Sequence, residues 1–159
     1  MKAYRLCAPW RDPRDPAGAV RRGGRWNSPG NPVLYCASSL SLACLETLVH
    51  IRDTSNIPAL SYSESSMPDH QIARWEDHCL GPRHDLRTAA MLESLVLSRE
   101  SGDGWLRSSS TLVLQVPSAV IPEEWNYLVN PGLPRFEEIS WSLSKPFRID
   151  VRLLDPNIR

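Results

Sequence analysis

Gly23-Gly24-Arg25-Trp26-Asn27-Ser28-Pro29-Gly30-Asn31-Pro32-Val33-Leu34-Tyr35-Cys36-Ala37-Ser38-Ser39 runs directly into Leu40-Ser41-Leu42-Ala43-Cys44-Leu45-Glu46-Thr47-Leu48-Val49-His50. A glycine-rich turn presents an arginine, a short apolar strand presents a tyrosine, and an apolar helix presents one carboxylate. From Ser38 to Val49 the only formal charge is Glu46, with Leu42, Leu45 and Val49 at helical spacing around it. A half-buried carboxylate is costly unless partnered. Glu46 therefore needs a cation, hydrogen-bond donors or a ligand close by.

Working outward from this turn–strand–helix unit, Lys2 to Cys7 reads as a first strand and Ala8 to Gly24 as a polar loop with Pro9, Pro13 and Pro16. Pro32 to Ala37 is a short buried strand, and Ser38 or Ser39 caps the Glu46 helix. Ile57 to Ser63 alternates weakly as a strand. Met67 to Asp85 is irregular, with a short helix near Ile72 to Asp77. Leu86 to Arg99 has the apolar spacing of a second helix. Trp105 and Leu106, then Thr111 to Val116, read as strands around a serine-rich turn, and Pro146 to Leu153 as a final strand. Strands and helices mix without strict alternation. The expected fold is α+β, a single compact domain over 1–159 with helices on a mixed, mostly antiparallel split sheet.

The 159 residues carry 18 basic and 18 acidic side chains, so the chain lacks the basic excess of a dedicated nucleic-acid binder. The basic residues are sixteen arginines and two lysines, which suits guanidinium recognition of phosphates or carboxylates, although for most of them codon bias in a GC-rich genome is the better account. No apolar run approaches the ~20 residues of a membrane span, and Met1-Lys2-Ala3-Tyr4-Arg5 opens no signal peptide. Cys7, Cys36, Cys44 and Cys79 form no C-x-x-C pair and read as apolar fillers in a reducing, cytoplasmic compartment. His50, His70, His78 and His84 lack zinc-ligand spacing, and no metal is implied.

Arg25 follows two glycines that allow close backbone approach to a ligand, and it can offer a fork to phosphate. It can equally pair with Glu46 or stack on Trp26. The turn is neither a Walker motif nor G-x-G-x-x-G. Tyr35 is either a stacking platform or a core tyrosine with a satisfied hydroxyl. Glu46 is either functional or a rim carboxylate beside His50. Ser118, at the end of a strand, has no His–Asp arrangement around it and is no hydrolase nucleophile; it hydrogen-bonds a ligand or simply forms a turn. Asn126, Tyr127 and Asn130-Pro131 read as a structural turn bracing the site. The tryptophans are packing residues, with Trp26 alone a candidate for ligand contact.

The Gly23–His50 segment resembles the RES-domain proteins, toxins of bacterial toxin–antitoxin pairs named for an arginine, a glutamate and a serine. The resemblance continues at Leu112-Val113-Leu114-Gln115-Val116-Pro117-Ser118-Ala119-Val120-Ile121-Pro122, at Asn126-Tyr127-Leu128-Val129-Asn130-Pro131 and at Pro146-Phe147-Arg148-Ile149-Asp150-Val151-Arg152-Leu153. From about Ile57 to Ser110 it is thin. It implies a fold similar to ADP-ribosyltransferase toxins, a cleft for NAD as substrate with no further cofactor, and cleavage of the nicotinamide–ribose bond. Glu46 and Arg25 would be catalytic. Arg25 would hold the pyrophosphate, Tyr35 would stack on nicotinamide or ribose, and Glu46 would face the ribosyl cation or the ribose hydroxyls. Ser118 would bond the ribose or amide, and Arg5 would line the same cleft. The acceptor is left open between water, phosphate and a protein side chain, the last giving an ADP-ribosyltransferase. The implied partner is a helix-turn-helix antitoxin that covers the site and takes any DNA contact upon itself, with no membrane involved. A non-catalytic partner-binding module is the alternative from another class. A ribonuclease is disfavoured by the neutral charge and the lack of paired histidines.

Overall fold

The computed structural model describes residues 1–51, 53, 57–78 and 91–154. The strands are β1 (Lys2–Cys7), β2 (Leu34–Ala37), β3 (Leu60–Ser66), β4 (Ile72–Arg74), β5 (Val113–Pro117), β6 (Trp125–Val129), β7 (Ser140–Trp141) and β8 (Lys145–Phe147). The helices are α1 (Ala17–Arg22), α2 (Leu40–Leu48), α3 (Trp75–His78) and α4 (Met91–Ser108). The sheet runs β4-β5-β6-β2-β1-β3-β7, with β8 also on β3. Among the described residues only β4–β5 is parallel; the other pairs are antiparallel. The α+β fold with a mixed, mostly antiparallel sheet is as the sequence reads.

The split in that sheet has a definite location. β1 pairs with β3 from Lys2 to Cys7, and β2 with β6 along its whole length. Between these halves, β1 and β2 share a single registered pair, Tyr4 opposite Ala37. Beyond it the strands part. The Tyr35 carbonyl is met instead by the Arg5 guanidinium, whose Nη1 donates to it at 3.1 Å.

Alternation of the strands supplies a core on both faces. Leu34, Cys36, Val113, Tyr127 and Val129 pack on one face with Met67, Phe136 and Ile139. Leu114, Val116 and Leu128 pack on the other with Val33, Trp26 and Trp105. Ala37, Leu42 and Ala43 form a third cluster that seats α2 against Tyr4 and Leu6. The Ser39 hydroxyl accepts from the Leu42 amide at 3.0 Å and caps α2.

Several local expectations are corrected. The Ala8–Gly24 loop contains α1, started where the Asp15 carboxylate accepts from the Ala17 amide. Trp105 and Leu106 are not strand but the end of α4, which continues through Gly102 and Gly104. The short helix near Ile72 is strand first, β4, and only then helix; Ile72–Arg74 pairs with β5, and that tertiary pairing overrides the local pattern. Asn126 and Tyr127 belong to β6, paired on both sides, and the turn is confined to Asn130, whose side chain accepts from the Gly132 amide. The last strand is shorter, ending at Phe147, with a 3-10 turn over Val151–Leu153. Cys79, His84 and the first part of the Leu86–Arg99 helix lie outside the described residues.

Candidate active site

Glu46 sits on the second turn of α2, half-buried, on the side facing the ends of β5 and β6. Its Oε1 accepts from Ser118 Oγ at 2.7 Å and from Asn126 Nδ2 at 2.6 Å. Ser118 Oγ in turn accepts from the amides of Val120 and Ile121, each at 3.0 Å. Oε2 has no protein partner among the described residues. The donors that a lone carboxylate on an apolar helix requires are thus supplied from two strands far away in the chain.

Beside Glu46 opens a cleft of about 970 Å³, within the range of small-molecule sites. Arg5, Arg25, Tyr35, Glu46 and Asn126 all line it, with α1 forming one wall through Gly18, Ala19 and Arg22. A recess of about 290 Å³ continues behind Glu46 and Tyr35 towards Tyr4 and Thr47. Among the described residues Glu46 is the only carboxylate on the cleft wall. None of Arg5, Arg22, Arg25 and Arg99, on or behind that wall, pairs with a carboxylate among the described residues. The cleft is therefore electropositive around one fixed negative charge.

Arg25 does not pair with Glu46. Its Nη2 donates to Ser94 Oγ of α4 at 2.6 Å, which props the guanidinium from behind. The turn itself is braced from within by Asn27, fully buried, whose Nδ2 donates to the carbonyls of Ala19, Ser28 and Asn31. Tyr35 donates from its hydroxyl to Asn27 Oδ1 at 2.7 Å and accepts from the Trp26 amide at 3.1 Å. Burial pushes the Tyr35 phenol up, against a smaller opposing pull from the Trp26 amide, so it stays a neutral donor. A side chain on Gly24 would lie 2.5 Å from that hydroxyl. Glycine is required there by space, and Gly23, at φ 68°, by conformation.

The turn is held from outside by one face of α4. Arg99 donates to the Gly24 carbonyl at 3.3 Å and 3.2 Å. Gly102 presses against the Trp26 carbonyl, with no room for a Cβ. Asp103 accepts from the Ser28 amide and hydroxyl and from Asn31 Nδ2 at 2.6–3.0 Å. Burial pushes the Asp103 carboxyl up, but the Ser28 and Asn31 donors, with Arg107 beyond, outweigh it and hold it below its ordinary value. Reading the sequence missed this face altogether. The signal was there in Ser94, Ser98 and Gly102, small residues four apart that let a helix approach closely.

The structure thus brings Arg5, Arg25, Tyr35 and Glu46 to one cleft and adds Asn126, which sequence reading left in a turn, while Ser118 stands behind Glu46 and off the cleft wall, not in the ligand contact expected of it. Ser118 is only 3% exposed, and its single proton is committed to Glu46. Trp26, also 3% exposed, packs edge-on against Trp75 at 5.7 Å between ring centres. Cys36 is buried and its thiol is pushed up to about 11 by that burial, so it behaves as an apolar filler. Among the described residues no group of His, Cys, Asp and Glu could hold a metal ion, and no helix is long and apolar enough to cross a membrane.

The RES domain family model matches residues 2–150. Toxin Res of Yersinia enterocolitica is 37% identical over 139 residues, covering 86% of this chain and 87% of that protein. The Prs ADP-ribosylating toxin of a Sphingobium species is 36% identical over 142 residues, covering 87% and 84%. The crystal structure of the M. tuberculosis MbcT–MbcA toxin–antitoxin complex contains a chain of the same fold. The likeness covers 92% of this chain and 84% of that one, with a TM-score of 0.69 at 18% identity.

Proposed function

Because the chain belongs to the RES-domain toxin family, we propose that it is the NAD-consuming toxin of a toxin–antitoxin pair and cleaves the nicotinamide–ribose bond. The observation that carries the reading is one carboxylate, fixed by two donors, in a cleft whose arginines, Arg5, Arg22 and Arg25, have no carboxylate partner among the described residues. That distribution suits a ligand with a pyrophosphate at one end and a cation-forming carbon at the other.

As the C–N bond breaks, its electron pair leaves with nicotinamide, which departs neutral and needs no general acid. The ribosyl carbon becomes oxocarbenium-like, and the Glu46 carboxylate stabilises that charge in a site that needs no reorganisation. Arg25 offers its fork to the pyrophosphate. Arg5 adds positive charge at the inner end of the cleft, where its Nε is buried without a partner. Tyr35, locked by both hydrogen bonds of its hydroxyl, serves as a rigid ring wall. Ser118 acts through Glu46 and not on the substrate, since its hydroxyl is buried and fully used.

The acceptor decides the product. Water gives a glycohydrolase and phosphate a phosphorylase. Transfer to a protein is a second reading, favoured by the Sphingobium relative named as an ADP-ribosylating toxin. Incubating the purified protein with NAD, with and without phosphate, and weighing the products separates these. Free nicotinamide is expected in every case. Intact NAD after prolonged incubation with folded protein would favour the non-catalytic binding module.

A further inference from the structure

Hydrogen-bond polarity around Glu46 carries an inference that rests on the proposed reaction and deepens it. Two backbone amides, Val120 and Ile121, donate to Ser118 Oγ. An amide cannot reverse its role, so both lone pairs of the hydroxyl are taken. Its one proton has to point to Glu46 Oε1. Asn126 Nδ2 donates to the same oxygen at 2.6 Å. Turning the carboxamide round would set Oδ1 against Oε1, two acceptors in contact. Oε1 therefore receives two donors in a fixed direction and has no room for a proton of its own.

We propose that Asn126 and Ser118 are positioning residues that clamp Oε1 of Glu46 as a pure acceptor, leaving Oε2 as the one oxygen that meets the ribosyl cation. Asn126 is the informative member. It stands on β6 opposite Ala37, within a strand paired on both sides, so its carboxamide is aimed by the sheet and not by a loop. The clamp ties the catalytic helix to the sheet and sets the carboxylate plane. Glu46 then works as an oriented charge and transfers no proton through Oε1.

Asn126→Asp keeps the shape but replaces the donor by an acceptor. Turnover of NAD is expected to fall about 10²-fold, the scale of losing an electrostatic stabiliser, with KM within about threefold, as befits a group that acts only in the transition state. Ser118→Ala should lower turnover in the same direction, by up to about 10²-fold, and Ser118→Thr, which keeps the hydroxyl, should recover part of that loss. Folding is checked by melting temperature. Parental turnover in folded Asn126→Asp overturns the clamp. A second measurement needs no NAD. Asn126→Ala should lower the melting temperature less in a Glu46→Ala background than in the parent, because the contact is already gone; strictly additive shifts overturn the clamp. Coupled melting together with no NAD cleavage by the parental protein would sink the reaction and leave the clamp standing.

Discussion

Glu46 is held through one oxygen and offered through the other, and the simplest substitution tests the offered one. Glu46→Gln preserves size but removes the charge that the proposed reaction sets against the ribosyl cation. Turnover at saturating NAD should drop about 10²–10³-fold, read as nicotinamide release, while NAD affinity changes little. Unaltered cleavage by the folded variant would remove Glu46 from the mechanism. Arg25→Lys asks a different question, because lysine keeps the charge and loses the planar fork. It should weaken NAD binding, measured by titration, and parental affinity would make Arg25 structural. At this scale the sequence was a partial guide. A lone acid among Leu42, Leu45 and Val49 announced that donors had to exist. It could not say that they were Ser118 and Asn126, because those contacts span 72 and 80 residues.

α4 is the element whose importance local patterning concealed. The apolar spacing of the helix runs only to Arg99, and Trp105 and Leu106 read as strand. The helix persists because Gly102 lets it lie on the Trp26 carbonyl and Asp103 gathers donors from the turn. Gly102→Ala would raise intrinsic helix propensity yet push α4 off the turn. A net loss of about 1–3 kcal/mol in stability is expected, with weaker NAD binding as Ser94 leaves Arg25. Denaturant unfolding decides the sign, and a gain would show that the helix can shift freely. Asp103 gives the same element a pH signature. Its carboxyl is held below its ordinary value in the folded state. It therefore contributes stability at pH above ~4, the ordinary aspartate value, and loses it as pH falls through the depressed folded value. Asp103→Asn should cost about 1–3 kcal/mol near neutrality and should flatten the acid limb of a melting-temperature profile.

On the scale of the whole molecule, a toxin of this kind has to be silenced, and occupying the cleft is the direct physical route. α1 and the Arg25 turn form the cleft mouth, with Arg22 exposed at the end of α1. An antitoxin segment offering a carboxylate there would compete for the place of a phosphate. Antitoxin and NAD should then bind exclusively, each lowering the other's affinity by the same factor, with Arg25→Ala weakening both. Antitoxin affinity unchanged at saturating NAD would point to a remote mode of inhibition. The short apolar runs of β2 and β5 made those strands of the sheet legible in advance, whereas β6 reads locally as a turn and is a strand only because it pairs on both sides. Where that sheet splits was not legible, because the parting of β1 from β2 depends on Arg5 finding the Tyr35 carbonyl, a matter of three-dimensional placement.

The distance along the chain between Glu46 and its clamp also sets a clock. During synthesis, at roughly 5–20 residues per second, Asn126 is made on the order of ten seconds after Glu46. Until β5 and β6 have emerged, α2 carries an unclamped carboxylate and the cleft lacks its floor. On the proposed reaction, a ribosome-bound chain should cleave no NAD over that interval, however complete its Arg25 turn. Refolding from denaturant should show the same order, with NAD cleavage returning only after the slow, long-range pairing of β2 with β6.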